Sequence, residues 1–327
     1  MKKFILKVMF FFTSLFFVCV LADFWISNIL ANSESYAMGD SKIWNDIIES
    51  NIDADLLIYG SSRAWVHFDP EFIEGETSLK SYNFGVDGHA FATQNLRHNL
   101  FIKYNPKPKV ILYSIDVGTF DRSKGLYNDE QFLPFFRETY INDFTKNYKN
   151  FSLSDYNIPL IRYVGRRKAI NTFLKHIIDW PQQKIRKNGF ASKDKTWNTD
   201  FDKAKVEKGS YYKSINKELV KRFDDFLIDA KENNIHVILM YAPEHILGQS
   251  FVNNRHEVLK VFDSISKKNQ IPFFDYTSHS MNSDKDFFYN SSHLNTKGVE
   301  VFNTLYIGDL KTYLDSILAN KNKSGFN

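Results

Sequence analysis

Apolar residues along this chain gather into one long run and five short ones, and the lengths of these runs predict its elements. The long run extends from Val8 to Ala22, resumes after Asp23 through Leu30, and follows Lys2, Lys3 and Lys7. About 20 apolar residues cross a bilayer, and basic residues on the N-terminal flank hold that end in the cytoplasm. The pattern predicts a transmembrane helix anchoring the protein to the membrane, with the main domain outside the cytoplasm in a bacterial cell envelope. The rival is a cleaved signal peptide, because Val20-Leu21-Ala22 loosely fits a small-residue cleavage site. Apolar residues continuing past that site favour the anchor.

The five short runs are DLLIYG (55–60), LKSYNFG (79–85), KVILYSID (109–116), HVILMYAP (236–243) and IPFFDY (271–276). Continuous apolar stretches of this length suit strands buried on both faces of a parallel sheet. Helical periodicity fills the gaps at 43–49, 92–104, 214–233, 253–269 and 296–305, so strands and helices alternate. The reading is an α/β fold, a flavodoxin-like doubly wound five-stranded parallel sheet, in which ligands bind at the carboxyl ends of the strands. About ninety residues separate the third and fourth runs, far more than a crossover needs. They predict a helical insertion over 119–210, with apolar helical patterns at 130–147 and 155–178. The division expected is an anchor or signal segment, 1–31, and one domain, 32–327, that contains the insertion.

Composition changes this picture at two points. The 327 residues carry a net charge of only +4, yet 161–195 holds Arg162, Arg166, Arg167, Lys168, Lys175, Lys184, Arg186, Lys187, Lys193 and Lys195 against Asp179 and Asp194. Such a basic insertion fits either a solvated lid or contact with an anionic glycan or anionic lipid heads. Nucleic acid is disfavoured by export and by the lack of a binding module. Cysteine usage is the second point: Cys19, the sole cysteine, lies in the first run. The exported part therefore has no disulfide, thiol nucleophile or cysteine metal site. With no closely spaced His/Glu motif either, no metal and no cofactor are expected.

The first strand run ends in Gly60, followed by Ser61, Ser62, Arg63 and Trp65. A serine hydroxyl is a poor nucleophile until a base takes its proton. FFYNSSHLNTKG places His293 in a polar turn after the fifth strand, on the same sheet edge as Ser62. Among other histidines, His67, His89 and His245 each follow a strand end and are candidates for the same rim, His89 as the best substrate contact. Trp65 is a candidate sugar-stacking face, although a core role competes with that.

Together, IYGSSRA, NFGVDG, YSIDV and NSSHLNTKG resemble the four blocks of the SGNH (GDSL-type) hydrolase superfamily, in order, over most of 55–306. The resemblance implies the SGNH hydrolase fold, Ser62 as nucleophile, His293 as base, and backbone N–H groups of Ser62 and Gly88 as oxyanion donors. It is closest to an exported, membrane-anchored branch similar to proteins that O-acetylate polysaccharides or D-alanylate teichoic acids beside a membrane-bound O-acyltransferase. It thus implies an acyl esterase or O-acetyltransferase using a Ser-His acyl-enzyme on a cell-surface or secreted polysaccharide or other acylated glycan. Two positions depart from the pattern. Asp116 stands where an oxyanion-donating Asn is usual, and a carboxylate there would repel the developing charge; an Arg63–Asp116 pair bracing the serine turn is expected. Asn290 stands in place of the triad Asp, and Asn orients an imidazole without offsetting its charge. Asp284 and Asp286 are candidate substitutes. These departures keep open a catalytically inactive glycan-binding or scaffold partner of a membrane acyltransferase.

Overall fold

In the computed structural model, the described residues are 1–88, 91–122, 125–181 and 183–324. The chain divides into two compact units: Met1–Asn51 with Ser123–Arg186, and Ile52–Arg122 with Lys187–Asn327.

In chain order the first half holds α1 (Lys2–Asn32), α2 (Asp40–Ile48), β1 (Leu56–Gly60), α3 (Ser62–His67), α4 (Pro70–Thr77), β2 (Ser81–Asn83), α5 (Phe91–Tyr104) and β3 (Val110–Ser114). Short helices α6 (Thr139–Thr145), α7 (Leu153–Asn157) and α8 (Arg167–Ile177) follow. The remainder is α9 (Asp200–Lys208), α10 (Lys217–Glu232), β4 (His236–Tyr241), α11 (Ile246–Phe251), α12 (Arg255–Asn269), β5 (Phe273–Asp275), β6 (Phe288–Asn290), β7 (His293–Leu294) and α13 (Thr296–Ser324).

The larger unit is built on a five-stranded sheet ordered β2-β1-β3-β4-β5, every pairing parallel. This is the flavodoxin-like order with its switch point between β1 and β3. The strands read as unbroken apolar runs because both faces are covered. On one face Leu56, Ile58, Val110, Leu112, Ile238 and Met240 pack against Val299, Phe302, Tyr306 and Leu310 of α13. The other face is aromatic: Tyr59 and Tyr113 meet Phe226, and Tyr113 also meets Phe91 and Phe223 in edge and tilted contacts. All five predicted strands form. Past the fifth, the expected polar turn is instead a two-stranded antiparallel hairpin, β6–β7, and α13 runs well beyond 305.

The smaller unit joins the N-terminal segment to the middle of the chain. α1 is 31 residues long, about 46 Å at 1.5 Å per residue, and long and apolar enough to cross a membrane. Its first eighteen residues are largely exposed, whereas Asp23, Ser27 and Ile29–Ala31 are buried. The Asp23 carboxylate accepts from Arg162 Nη2 at 2.5 Å, Arg137 Nη2 at 3.2 Å and Leu160 N at 3.0 Å. Ser27 Oγ lies 2.7 Å from the Tyr163 hydroxyl. A buried carboxylate needs such partners, so the one acid in the long run marks where the helix enters the fold.

The partition differs from the boundaries at 31 and 119–210: residues 32–51 and 123–186 share the unit of α1, while 187–210 belongs to the sheet unit. The helical patterns at 130–147 and 155–178 also break into short pieces. A 3₁₀ segment at Asp129–Phe135 contains Pro134, and Gly165 sits at φ +76°. Among the described residues, ion pairs hold five of the ten cations named in the basic stretch. Arg162 pairs with Asp23, Arg166 with Asp129, Lys184 with Glu34, Lys187 with Glu71, and the buried Arg186 with Asp40.

Candidate active site

At the carboxyl end of β1 the chain must turn from a central strand into α3 within one residue. Gly60 does this at φ +140°, where a Cβ would lie 2.4 Å from the Ser114 carbonyl oxygen and 3.0 Å from Ala64 Cβ. Only glycine fits such a position. Ser61 caps α3, its hydroxyl accepting from Arg63 N, and leaves Ser62 as the first helical residue. The loop after β2 then closes onto this turn: at Gly85 a Cβ would stand 2.5 Å from Trp65 N and 2.9 Å from the Ser61 carbonyl oxygen. Two of the sequence blocks are thereby brought into backbone contact.

The β6–β7 hairpin carries the candidate base, His293. His293 Nε2 lies 2.8 Å from Ser62 Oγ, across 231 positions of sequence. On the other side of the ring, Nδ1 is 3.0 Å from Asn290 Oδ1, which also accepts from the backbone N–H groups of Ser292 at 3.0 Å and His293 at 2.9 Å. An oxygen already accepting two N–H groups is an acceptor toward the ring as well. This assigns the hydrogen to Nδ1 and leaves the Nε2 lone pair facing the serine hydroxyl. Tyr289 stacks on the imidazole at 5.3 Å and 10°. Burial, and secondly the Arg63 guanidinium, push the His293 pKa down to about 3.

His67 lies beneath this pair, fully buried. Its Nε2 accepts from Leu294 N at 3.0 Å, fixing the strand that carries His293, and its ring stands 5.9 Å from the His293 ring. Burial first, then Arg63 and His293, hold its pKa well below the usual value. His67 is therefore a support under the site, where a rim position was expected. His245 is not on the rim either: it is buried, caps α11 through Nδ1, and packs against Trp197 at 4.6 Å. His89 lies outside the described residues. Gly88, with φ +66°, closes the turn that follows β2.

Arg63 does not brace Asp116. Its Nη2 donates to the carbonyls of Ala242 at 2.6 Å and Pro243 at 3.0 Å, and its ion partner is Glu244 at 4.0 Å. The guanidinium also lies over the Tyr241 ring at 4.7 Å. Side-chain direction explains the miss: Arg63 points from α3 across the end of β4 instead of toward β3. Asp116 is held by Ser61, whose hydroxyl donates to Oδ2, and by Gly118 N at 2.7 Å to Oδ1. Both of its oxygens act as acceptors, so Asp116 presents no donor to an oxyanion.

The other substitute acids fail for position. Asp286 is exposed and 3.7 Å from Lys297, while Asp284 caps a 3₁₀ turn through Asp286 N. Trp65, a candidate sugar platform, is 3% exposed and lies under Lys193 Nζ at 4.9 Å. A face so covered offers no stacking surface. Beside His293 opens a cleft of about 470 Å³ whose lining includes Phe201, Tyr211, Phe251, Lys213, Glu244 and Asn290. Sequence reasoning passed over Phe201, Tyr211 and Phe251 because nothing local marks them; β6–β7, α9 and α11 meet only in three dimensions.

No family model matches the chain, and no curated protein matches it. Solved structures that align with it include the following three. One is a protein of Bacteroides fragilis provisionally assigned as an acylhydrolase, 13% identical, covering 87% of this chain and 98% of its own at a TM-score of 0.36. A GDSL-like lipase from Bacteroides thetaiotaomicron is 11% identical over 79% of this chain and 88% of its own, with a TM-score of 0.38. The third, from Streptococcus pneumonia and provisionally named a platelet activating factor, is 13% identical over 90% of this chain and 98% of its own, with a TM-score of 0.40. The larger unit is a flavodoxin-like doubly wound parallel sheet with a serine turn after β1 and a histidine after β5, the arrangement that the resemblance to the SGNH (GDSL-type) hydrolase superfamily implied.

Proposed function

We propose that this protein is an SGNH-type acyl esterase or O-acyltransferase that works through an acyl-serine on acetyl groups of a cell-surface or secreted polysaccharide. The observation that carries the reading is the relay Ser62 Oγ–His293 Nε2 at 2.8 Å and His293 Nδ1–Asn290 Oδ1 at 3.0 Å. Ser62 is the nucleophile and His293 the base. As Ser62 Oγ attacks the ester carbonyl, its proton passes to Nε2; the tetrahedral oxyanion is met by the N–H groups of Ser62 and Gly88; and the same proton then goes to the leaving alkoxide. Water or a sugar hydroxyl takes the acyl group from Ser62 in the second half. Asn290 orients the ring throughout, and the cleft beside His293 receives the acyl donor. A membrane-bound O-acyltransferase upstream is the partner this reading calls for if acyl groups are transferred instead of hydrolysed.

A second reading has its own observation. No carboxylate among the described residues faces His293 Nδ1, and both Asp116 oxygens are acceptors, so two groups that would stabilise developing charge are missing. A glycan-binding or scaffolding partner that has lost turnover would keep this fold and cleft. Serine-directed fluorophosphonate labelling decides between them. Labelling of wild type that disappears in Ser62→Ala and His293→Ala, with loss of acetyl-ester hydrolysis, supports the enzyme. Wild type that resists the reagent, with Ser62→Ala leaving polysaccharide acetylation in cells unchanged, removes it.

A further inference from the structure

Helix α8 has an apolar arc that the protein covers only in part. At about 100° per residue, Ala169, Phe173, Ile177, Ile170 and Leu174 occupy one continuous side of the helix, and Lys168 and Lys175 the opposite one. Ala169 is buried, and Phe173 packs edge-on against Trp25 of α1 at 5.2 Å. The rest of the arc is bare: Ile170, Leu174, Ile177 and, just beyond the helix, Ile178 and Trp180 are between 44% and 66% exposed. A stripe of this size on a soluble surface marks an interaction site.

What covers it follows from where it joins α1. Phe4 to Ala22 is nineteen residues with only Lys7 charged, roughly 28 Å of helix, which matches a hydrocarbon core of about 30 Å. If Lys7 snorkels at one face, the other face lies at Asp23–Trp25, the level at which Phe173 is clamped. The exposed arc of α8 is therefore continuous with the lipid-facing surface of α1, at the depth of the headgroups. Trp25 and Trp180 suit that depth, where aromatic rings with a polar edge collect. Arg167, at the edge of the apolar arc, and Lys168 and Lys175, on the polar side, form no ion pair among the described residues and would meet anionic headgroups.

We propose that α8 lies in the membrane interface as a second, amphipathic anchor beside α1, with Ile170, Leu174, Ile177, Ile178 and Trp180 inserted among the headgroups of an anionic bilayer. A helix so placed fixes the rotation and height of the smaller unit on the membrane, which a single spanning helix leaves free. This rests on α1 spanning the bilayer, and the test separates the two.

In a Cys19→Ser background, the full chain carries one environment-sensitive fluorophore at Leu174→Cys, at Phe11→Cys, or at Glu232→Cys as an exposed reference on α10. Each is reconstituted at one protein per vesicle or fewer in phosphatidylethanolamine–phosphatidylglycerol vesicles, then quenched with iodide and with lipids brominated at shallow or deep carbons. The expected result is deep-lipid quenching at position 11, shallow-lipid quenching with several-fold weaker iodide access at 174, and full iodide access at 232. Introducing Ile177→Glu should restore iodide access at 174 without altering position 11. Iodide access at 174 equal to that at 232, with 11 still deep, overturns the interfacial helix alone; access at both 174 and 11 overturns it together with the spanning helix. Protection at 174 that appears only at high protein-to-lipid ratio also overturns it, and assigns the stripe to a second copy.

Discussion

Asn290 Oδ1 stands 3.0 Å from Nδ1 of His293, in the place and geometry of a triad acid but without its charge. The amide oxygen does half of a carboxylate's work. It selects the tautomer and aims Nε2 at Ser62, yet in the proposed mechanism it would leave an imidazolium with no counter-ion, in the field of the Arg63 guanidinium that already disfavours the charged ring.

Asn290→Asp should therefore raise activity. In a serine protease, exchanging the carboxylate for an amide costs about 10⁴ in turnover; the reverse change here should gain at least about tenfold in kcat/KM on a small acetyl ester. It should also lift the His293 pKa from its value of about 3, so that the acid limb of the pH profile moves upward. A pH–rate series on the two proteins reads both effects, and Asn290→Leu, which removes the acceptor, should be slower than wild type at every pH.

Gly60→Ala should fold poorly. The backbone at φ +140° disfavours any side chain, and the new methyl would meet the Ser114 carbonyl at 2.4 Å. Strain and overpacking together predict a loss of about 2–5 kcal/mol, seen as a lower denaturant midpoint at unchanged slope. The same substitution at the exposed Gly75, where nothing lies within 4 Å, should be nearly neutral.

Acid should destabilise the sheet unit before its carboxylates titrate. Burial is the first cause that lowers the pKa of His67, His98, His245 and His293, with His98 at about 4 and His293 at about 3 against 6.5 for a free imidazole. The folded state keeps these rings neutral while the unfolded chain binds protons below about pH 6.5. Their contribution is complete above about 6.5 and is lost as pH falls toward about 4, by up to about 1.4 kcal/mol per pH unit for each fully buried ring. Unfolding midpoints from about pH 7.5 to 4.5 test this, and His67→Gln should flatten the slope. If the glutamine amide oxygen of that variant still accepts from Leu294 N, kcat should survive; His67→Leu, which leaves that N–H unpaired, should cost about 1–3 kcal/mol and lower kcat with it.

In the smaller unit, Arg162→Met should cost about 3–5 kcal/mol, since it strips Asp23 of its buried partner. Asp23→Asn combined with Arg162→Met should recover much of that loss. Thermal unfolding in detergent, or protease sensitivity of the 123–186 segment, gives the comparison.

Sequence alone determined the elements whose cause is local or periodic. Strands buried on both faces must be apolar throughout, so the five runs announced a parallel sheet, and the alternation with helices announced its winding. Ser62 and His293 were legible for a related reason: a β1 run ending on Gly-Ser-Ser and a histidine after the last strand must share the carboxyl edge of such a sheet. What only the tertiary structure decided is where long side chains end. Arg63 swings to Ala242, Pro243 and Glu244, away from Asp116; Trp65 and His245 turn inward; and His67 becomes the acceptor beneath β7. Asp23 looked like an interruption of an apolar run until Arg162, 139 positions away, was found beside it. Periodicity records which face of an element is dry, whereas a buried charge or hydrogen bond is satisfied by whichever partner the packing brings within about 3 Å, and that partner leaves no mark on its own neighbours in sequence.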